Sequence, residues 1–245
     1  MTVTLPAMRA GQRAGWEALL DVHEAHPTGW TLVGGQMVHL WCAERGASPV
    51  RPTDDLDAVL DVRGEPGDPG VLMTFTRVLG RLGFVPAGTS PGGHQHRWVR
   101  DGAQIDVLIP RGVGPRASGR RGAGGGTTLE TPGAQQALDR TEEVGVRIAD
   151  RVGTVRRPDL LGALVAKAAA HTVPLDPGRA RHITDFLVLS SLISPRDRID
   201  RATTRDRTYL HGMLGAVARD RRSLLQVEGG EDGVQLLRLA LGLDD

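Results

Sequence analysis

Up to about residue 156, short apolar strands alternate with helical stretches, and from Pro158 onward only helical spacing remains. This change of periodicity predicts an α+β fold in two parts. The first, over 1–156, is a small mixed β-sheet with flanking helices, and the second, over 157–245, is a helical C-terminal region. In the first part, Trp16, Leu19, Leu20 and His23 share a helical face over 11–25, which Pro27, Thr28 and Gly29 end. A strand at 30–33 runs through Gly34-Gly35 into a helix over 36–44, and 56–62 reads as a strand followed by a turn rich in Gly, Pro and Asp. Val71, Leu72, Phe75, Val78, Leu79 and Leu82 form one stripe over 70–82, capped by Gly83. Asp101-Gly102 between 97–100 and 103–109 is a two-residue hairpin signal. The Gly- and Arg-rich stretch from 111 to 126 reads as a mobile loop, Thr131-Pro132-Gly133 as a helix entry, and 144–148 and 152–155 as two short strands. Helices are expected at 158–171, 178–192, 203–219 and 230–242.

Composition removes several function classes. The 30 basic and 29 acidic side chains leave a net charge of +1, so no global field draws the chain to nucleic acid or an anionic membrane. Aromatic residues are only 3% of the total, which argues against a surface of base-stacking platforms. The single cysteine, Cys42, excludes an internal disulfide and a cysteine-based zinc site, and beside Trp41 it reads as a buried structural thiol. The N-terminus lacks the order of a signal peptide, and no apolar run approaches the roughly 20 residues of a membrane span. A cytoplasmic protein without membrane partners is expected, and the bias toward Gly, Ala and Arg suggests a bacterial genome of high GC content.

Three carboxylates carry the chemical argument. Asp55 and Asp57 stand in Thr53-Asp54-Asp55-Leu56-Asp57 at the head of a strand, so they face one way while Leu56 faces the core, and Asp54 points elsewhere. Two carboxylates this close repel unless a cation lies between them, and oxygen ligands suit a hard ion such as Mg²⁺. Asp106 interrupts the apolar run Ile105-Asp106-Val107, where an acid is costly to bury without a partner. If its strand neighbours that of Asp55 and Asp57, three acids converge and can hold two ions. Upstream, Gly34-Gly35 between strand and helix lets the backbone approach phosphate oxygens at a helix N-terminus.

The ordered set Gly34-Gly35, Arg51-x-Thr53-x-Asp55-Leu56-Asp57 and Ile105-Asp106-Val107 resembles the DNA polymerase β-type nucleotidyltransferases, nearest to the AbiE-type (abortive-infection) toxins of toxin–antitoxin systems. The resemblance covers about 28–110 by motif and extends more weakly into the helical tail. It implies a palm-like mixed sheet, an NTP co-substrate, Mg²⁺ (two ions) on Asp55, Asp57 and Asp106, and transfer of a nucleotidyl group to an acceptor hydroxyl. It also implies site roles for Lys167 and Asp185, where such toxins carry a lysine and then an aspartate on successive helices. On this reading Gly34, Gly35, Gln36, Arg51, Thr53, Lys167 and Asp185 bind the nucleotide, Lys167 through its triphosphate, with Asp185 orienting that lysine. The chain departs from the pattern at Gln36, where many members carry serine, and in a long gap between Gly35 and Asp55.

Each motif also has a structural reading. Lys167 and Asp185 fit an interhelical salt bridge, Thr53 fits a loop brace, and Arg181, four residues before Asp185, fits a helical ion pair with it. His94-x-His96 lacks a third ligand nearby and reads as a solvated hairpin, while the arginines of 111–121 suit a solvated segment or an RNA backbone. The acceptor stays open among RNA, protein and small molecule, with an antitoxin as a further partner. Two competing functions remain: an antibiotic nucleotidyltransferase acting on aminoglycosides or lincosamides, and a catalytically silent nucleotide-binding module.

Overall fold

A computed structural model describes residues 2–63, 70–90, 92–174, 176 and 178–243. The Gly/Pro/Asp turn expected after Val62 falls on 64–69, outside the described residues. In chain order, β1 (Thr2–Thr4) leads to α1 (Ala10–Ala25), β2 (Trp30–Val33), α2 (Gly34–Arg45), β3 (Leu56–Leu60) and α3 (Gly70–Arg81). Then come β4 (Val85–Pro86), β5 (Arg97–Arg100), β6 (Ala103–Pro110), α4 (Pro115–Ser118), β7 (Leu129–Thr131), α5 (Ala134–Asp139), β8 (Thr141–Ile148) and β9 (Arg151–Pro158). The rest is helical: α6 (Leu160–Ala170), α7 (Arg179–Ser191), a 3-10 turn at Ile199–Arg201, α8 (Thr204–Arg219), α9 (Arg221–Gln226) and α10 (Gly230–Leu241). This is the α+β fold with a helical tail that the periodicity implied.

The main sheet has the order β2-β3-β6-β5-β4 and is mixed, with β3 parallel to β6 and the other pairs along that path antiparallel. Leu108 pairs with Val59 of β3 and with Leu129 of β7, so β7 takes the side of β6 that β5 leaves. The β5–β6 hairpin turns on Asp101 (φ 48) and Gly102 (φ 79), the pair of positive φ angles that an Asp-Gly type I′ turn requires. A second sheet, β1-β8-β9, lies against β2, where Arg156 of β9 donates to the Trp30 carbonyl at 3.2 Å.

Apolar side chains buried from both regions join in one cluster that runs from Val3 to Leu241. Within it α1 packs on β6 and β9, and α7 packs on α2, α6 and α10. Three helices of the tail start on capping side chains, with Asp220 opening α9 through the Ser223 amide at 3.1 Å. Asp159 accepts from the Gly162 amide at 2.7 Å to open α6, and Thr203 and Asp206 form a reciprocal box at the start of α8. No helix among the described residues is long and apolar enough to cross a membrane.

Several local expectations change. The strand expected over 56–62 stops at Leu60, because pairing with β2 ends at Trp30 and the Asp61 amide turns to the Gly29 carbonyl. The stretch 111–126 contains α4 and is tied down: the Ala123 amide donates to Thr76 Oγ1 at 2.8 Å and the Gly126 amide to Gln95 Oε1 at 3.0 Å. The short elements β1, β4, β7 and α9 have too few residues for periodicity to reveal.

Asp206 is fully buried, caps α8 and takes Arg140 Nη2 at 2.5 Å. Asp206→Ala leaves that guanidinium unpaired and the helix uncapped, and should cost about 3 kcal/mol of unfolding free energy. Urea denaturation checks this, and a loss below about 0.5 kcal/mol, typical of a surface change, would contradict it.

Candidate active site

The register between β3 and β6 places Asp57 directly opposite Asp106, on the same face of neighbouring strands. Asp55, two residues earlier in the chain, points the same way. One oxygen from each of the three carboxylates lies within 4.8 Å of the others, and among the described residues this is the one cluster of three acids, histidines or cysteines fit to hold a metal. Asp106 is buried, whereas Asp55 and Asp57 are half-buried at the floor of a cleft of about 370 Å³.

Crowding is visible in the protonation of the group. The Asp57 carboxyl is pushed up from 3.8 to about 7, chiefly by desolvation, then by the charges of Asp55 and Asp106, with Lys167 and Arg181 opposing. An all-oxygen set under this repulsion fits a hard divalent cation, which relieves it. Asp55 Oδ1 also accepts from Thr53 Oγ1 at 2.7 Å. Asp54 turns out to solvent and pairs with Arg9 at 2.9 Å.

The glycine pair has a tight steric role beside this cluster. Gly34 opens α2 at φ +69, and a Cβ there would stand 1.8 Å from Asp57 Oδ2. A Cβ on Gly35 would stand 2.7 Å from Thr53 Oγ1. Only glycines let the start of α2 lie against the acids, which brings its unpaired first-turn N–H groups and positive dipole end to the cleft wall.

The tail supplies the opposing charge. Lys167 of α6 and Asp185 of α7 are both buried, with Nζ 2.7 Å from Oδ2. Arg51 grips the same carboxylate with two bonds, Nε to Oδ1 at 2.8 Å and Nη2 to Oδ2 at 2.7 Å. Burial is the largest influence on Asp185 and works to raise its pKa, yet Lys167 and Arg51 together hold the carboxyl below its ordinary range.

Gly34, Gly35, Arg51, Thr53, the three acids and Lys167 all line the one cleft. Asp185 sits behind Lys167 and does not line it. Gln36 is a correction: it is buried, takes Trp16 Nε1 at 3.1 Å and donates to the Thr53 carbonyl at 2.6 Å, so its amide braces the 53–57 segment from behind. Arg181 is a second correction. Asp185 is already taken by two cations, and Arg181 lies instead 3.6 Å from Asp176 on the cleft wall.

Sequence reasoning missed Arg97, whose guanidinium forks onto Asp106, Nε to Oδ1 at 2.9 Å and Nη2 to Oδ2 at 2.8 Å. The signal was present. A two-residue turn at 101–102 pairs 100 with 103 and therefore 97 with 106. It also missed His182, held by Asp176 at 2.6 Å and pushed down to about 4 by burial and then Lys167, against the pull of Asp176. Among the described residues the His94-x-His96 pair joins no metal cluster: His94 Nδ1 bonds to Thr127 Oγ1 at 3.0 Å, and His96 is half-buried rather than solvated.

No protein-family model matches this chain, and no curated protein does. Among solved structures the chain is similar to the crystal structure of an antigenic nucleotidyltransferase-like protein from Paracoccidioides brasiliensis. The match has 14% identity and a TM-score of 0.49, and covers 89% of this chain and 94% of that one. A functional reading therefore rests on the geometry of the cleft.

Two outcomes follow from that geometry. Gly34→Ala should displace the Asp57 carboxylate and weaken Mn²⁺ binding by at least about tenfold, as measured by isothermal calorimetry, since a 1.8 Å approach cannot be absorbed without moving Asp57. Wild-type cation affinity should rise about tenfold per pH unit up to about 7 and then level off, because the proton on Asp57 must leave first. The same raised pKa means that Asp57 contributes most to cation-free stability below its ordinary 3.8, a contribution lost as the pH rises through about 7. A cation affinity flat from pH 6 to 8 would contradict the assignment.

Proposed function

We propose that this chain is a metal-dependent nucleotidyltransferase, which binds a nucleoside triphosphate and transfers its nucleotidyl group to an acceptor hydroxyl with release of pyrophosphate. The observation that carries the reading is the pairing of Asp57 with Asp106 across parallel strands, with Asp55 alongside, against a helix that begins on two glycines. Asp55 and Asp57 would hold two Mg²⁺ ions and Asp106 would complete the set. When bound, such ions lower the pKa of an attacking hydroxyl and neutralise charge on the departing pyrophosphate.

The chain's own residues do the remaining work. The amides that open α2 at Gly34 and Gly35 donate to phosphate oxygens. Lys167 gives one of its three N–H bonds to Asp185 and keeps donors for the triphosphate. Asp185 is a positioning residue, since it fixes the direction of Lys167 and ties Arg51 to it. Thr53 orients Asp55, and Gln36 braces the Thr53 carbonyl. Asp106 takes up the proton of the acceptor hydroxyl. Positioning and charge supply most of the catalysis of such a transfer.

The helical part from 157 closes this site as a second functional region, since Lys167 and Asp185 come from it. Arg111 lines the cleft and begins the arginines of 111–121, which favours an anionic acceptor, RNA first, over a cationic aminoglycoside; Arg97 and Arg181 on the same wall are paired with Asp106 and Asp176. The intact acids count against a silent nucleotide-binding module. The motif order nearest to AbiE-type toxins makes a bacterial cytoplasmic setting and an antitoxin partner part of this proposal.

Incubation with each labelled NTP, Mg²⁺ and a cell extract tests the reading, with label expected in RNA. Asp57→Ala should reduce transfer by at least about 10³ while the circular dichroism spectrum stays unchanged. Transfer at wild-type level by that variant would reject the scheme.

A further inference from the structure

Among the described residues, one basic side chain forms an ion pair with any of the three acids, and that is Arg97 on Asp106. The β5–β6 register sets the two directly across from each other, and both carboxylate oxygens are engaged. Arg97 is not a buried brace, since its side chain is 45% exposed and it lines the cleft. The guanidinium reaches water on one side while its partner carboxylate is buried, so it has a path out of the pair once something else neutralises the acids.

A second acceptor shares the guanidinium. Gln104 is two residues before Asp106 on the same face of β6. With its amide turned, the Gln104 oxygen accepts at 3.1 Å from the same Arg97 Nε and Nη2 that donate to Asp106. The guanidinium therefore has one partner that carries charge and another, beside it, that does not.

We propose that Arg97 alternates with a divalent cation on Asp106, an inference that rests on the metal-dependent reading above. Without a cation, Arg97 holds the Asp106 carboxylate by both oxygens, in place beside Asp55 and Asp57. With a cation bound, Arg97 yields the carboxylate, because two positive groups on one carboxylate repel. It keeps the Gln104 oxygen, and the side of its planar fork withdrawn from Asp106 is free to take phosphate oxygens of the nucleotide. Arg97 is thus a positioning residue for Asp106 in one state and a phosphate ligand in the other. A fixed structural pair would instead support the cation site in both states.

The test reads metal affinity rather than turnover. Mn²⁺ binding to the full chain is measured by electron paramagnetic resonance at a pH where Asp57 is ionised, in wild type, Arg97→Met and Arg97→Lys. Arg97→Met should bind Mn²⁺ about tenfold more tightly, since a competing positive charge is gone. The same variant should melt at a lower temperature than wild type when no cation is present. Arg97→Lys keeps the charge and should stay within about twofold of wild type. Weaker or unchanged binding by a folded Arg97→Met overturns the proposal. Should that variant fail to fold, wild type is read directly by nuclear magnetic resonance. The Arg97 Nε–H resonance must shift on saturation with Mg²⁺, as the Asp106 carboxylate leaves and the Gln104 amide oxygen stays its acceptor; an unchanged resonance overturns the proposal. Absence of Mn²⁺ binding by wild type overturns the metal-centre reading itself, and this inference with it.

Discussion

The site depends on one register: β3 and β6 run parallel with Asp57 opposite Asp106. A slip of one residue would turn one of the acids to the opposite face of the sheet and undo the cluster. The apolar residues between the acids prevent such a slip. Leu56, Ala58, Ile105 and Val107 are fully buried on the core face, so the register that buries them also turns the carboxylates to the cleft face. Hydrophobic burial, the largest favourable contribution to folding, thus imposes the electrostatic strain of the cleft.

The strain is answered from three directions, each supplied by a different element. Gly34 and Gly35 let the positive end of α2 approach from one side. Arg97 reaches across the β5–β6 hairpin from another. Lys167 comes from the helical tail and is aimed by Asp185, which Arg51 also grips. That trio, with Lys167 and Asp185 buried and Arg51 half-buried, joins the 51–57 segment to α6 and α7. Breaking such a network by removing one member leaves an uncompensated buried charge, which is more costly than the pair is stabilising. Head and tail are therefore coupled at the place where the cleft needs its cation.

Much of this was legible along the chain because it follows from local rules. The strand at 30–33 appeared as a short apolar run, the main helices through 3.6-residue patterns, and the strand at 97–100 as a flank of the hairpin turn Asp101-Gly102. The three acids, the glycine pair and Lys167 were identifiable because an acid or a lysine in an apolar stretch needs a reason to be there. Arg97 was legible too, by counting outward from the hairpin turn. Gln36 was misplaced because sequence adjacency to Gly35 says nothing about which way a helical side chain turns. Arg181 was misassigned because four-residue spacing permits an ion pair but does not know that Asp185 is already occupied. The 111–126 stretch read as loose from its glycines, yet its anchors, Thr76 and Gln95, are remote in sequence.

By itself, the sequence determined the class of fold, the order of elements and the residue types that bear charge in apolar surroundings. These are properties of short windows, governed by backbone propensity and by the period with which apolar residues recur. Only the tertiary structure decided which charges meet. The 4.8 Å gathering of three acids, the double grip on Asp185 and the turning of Gln36 into the interior all join segments far apart in the chain. Such pairings depend on how sheets and helices pack, and packing is a property of the whole core.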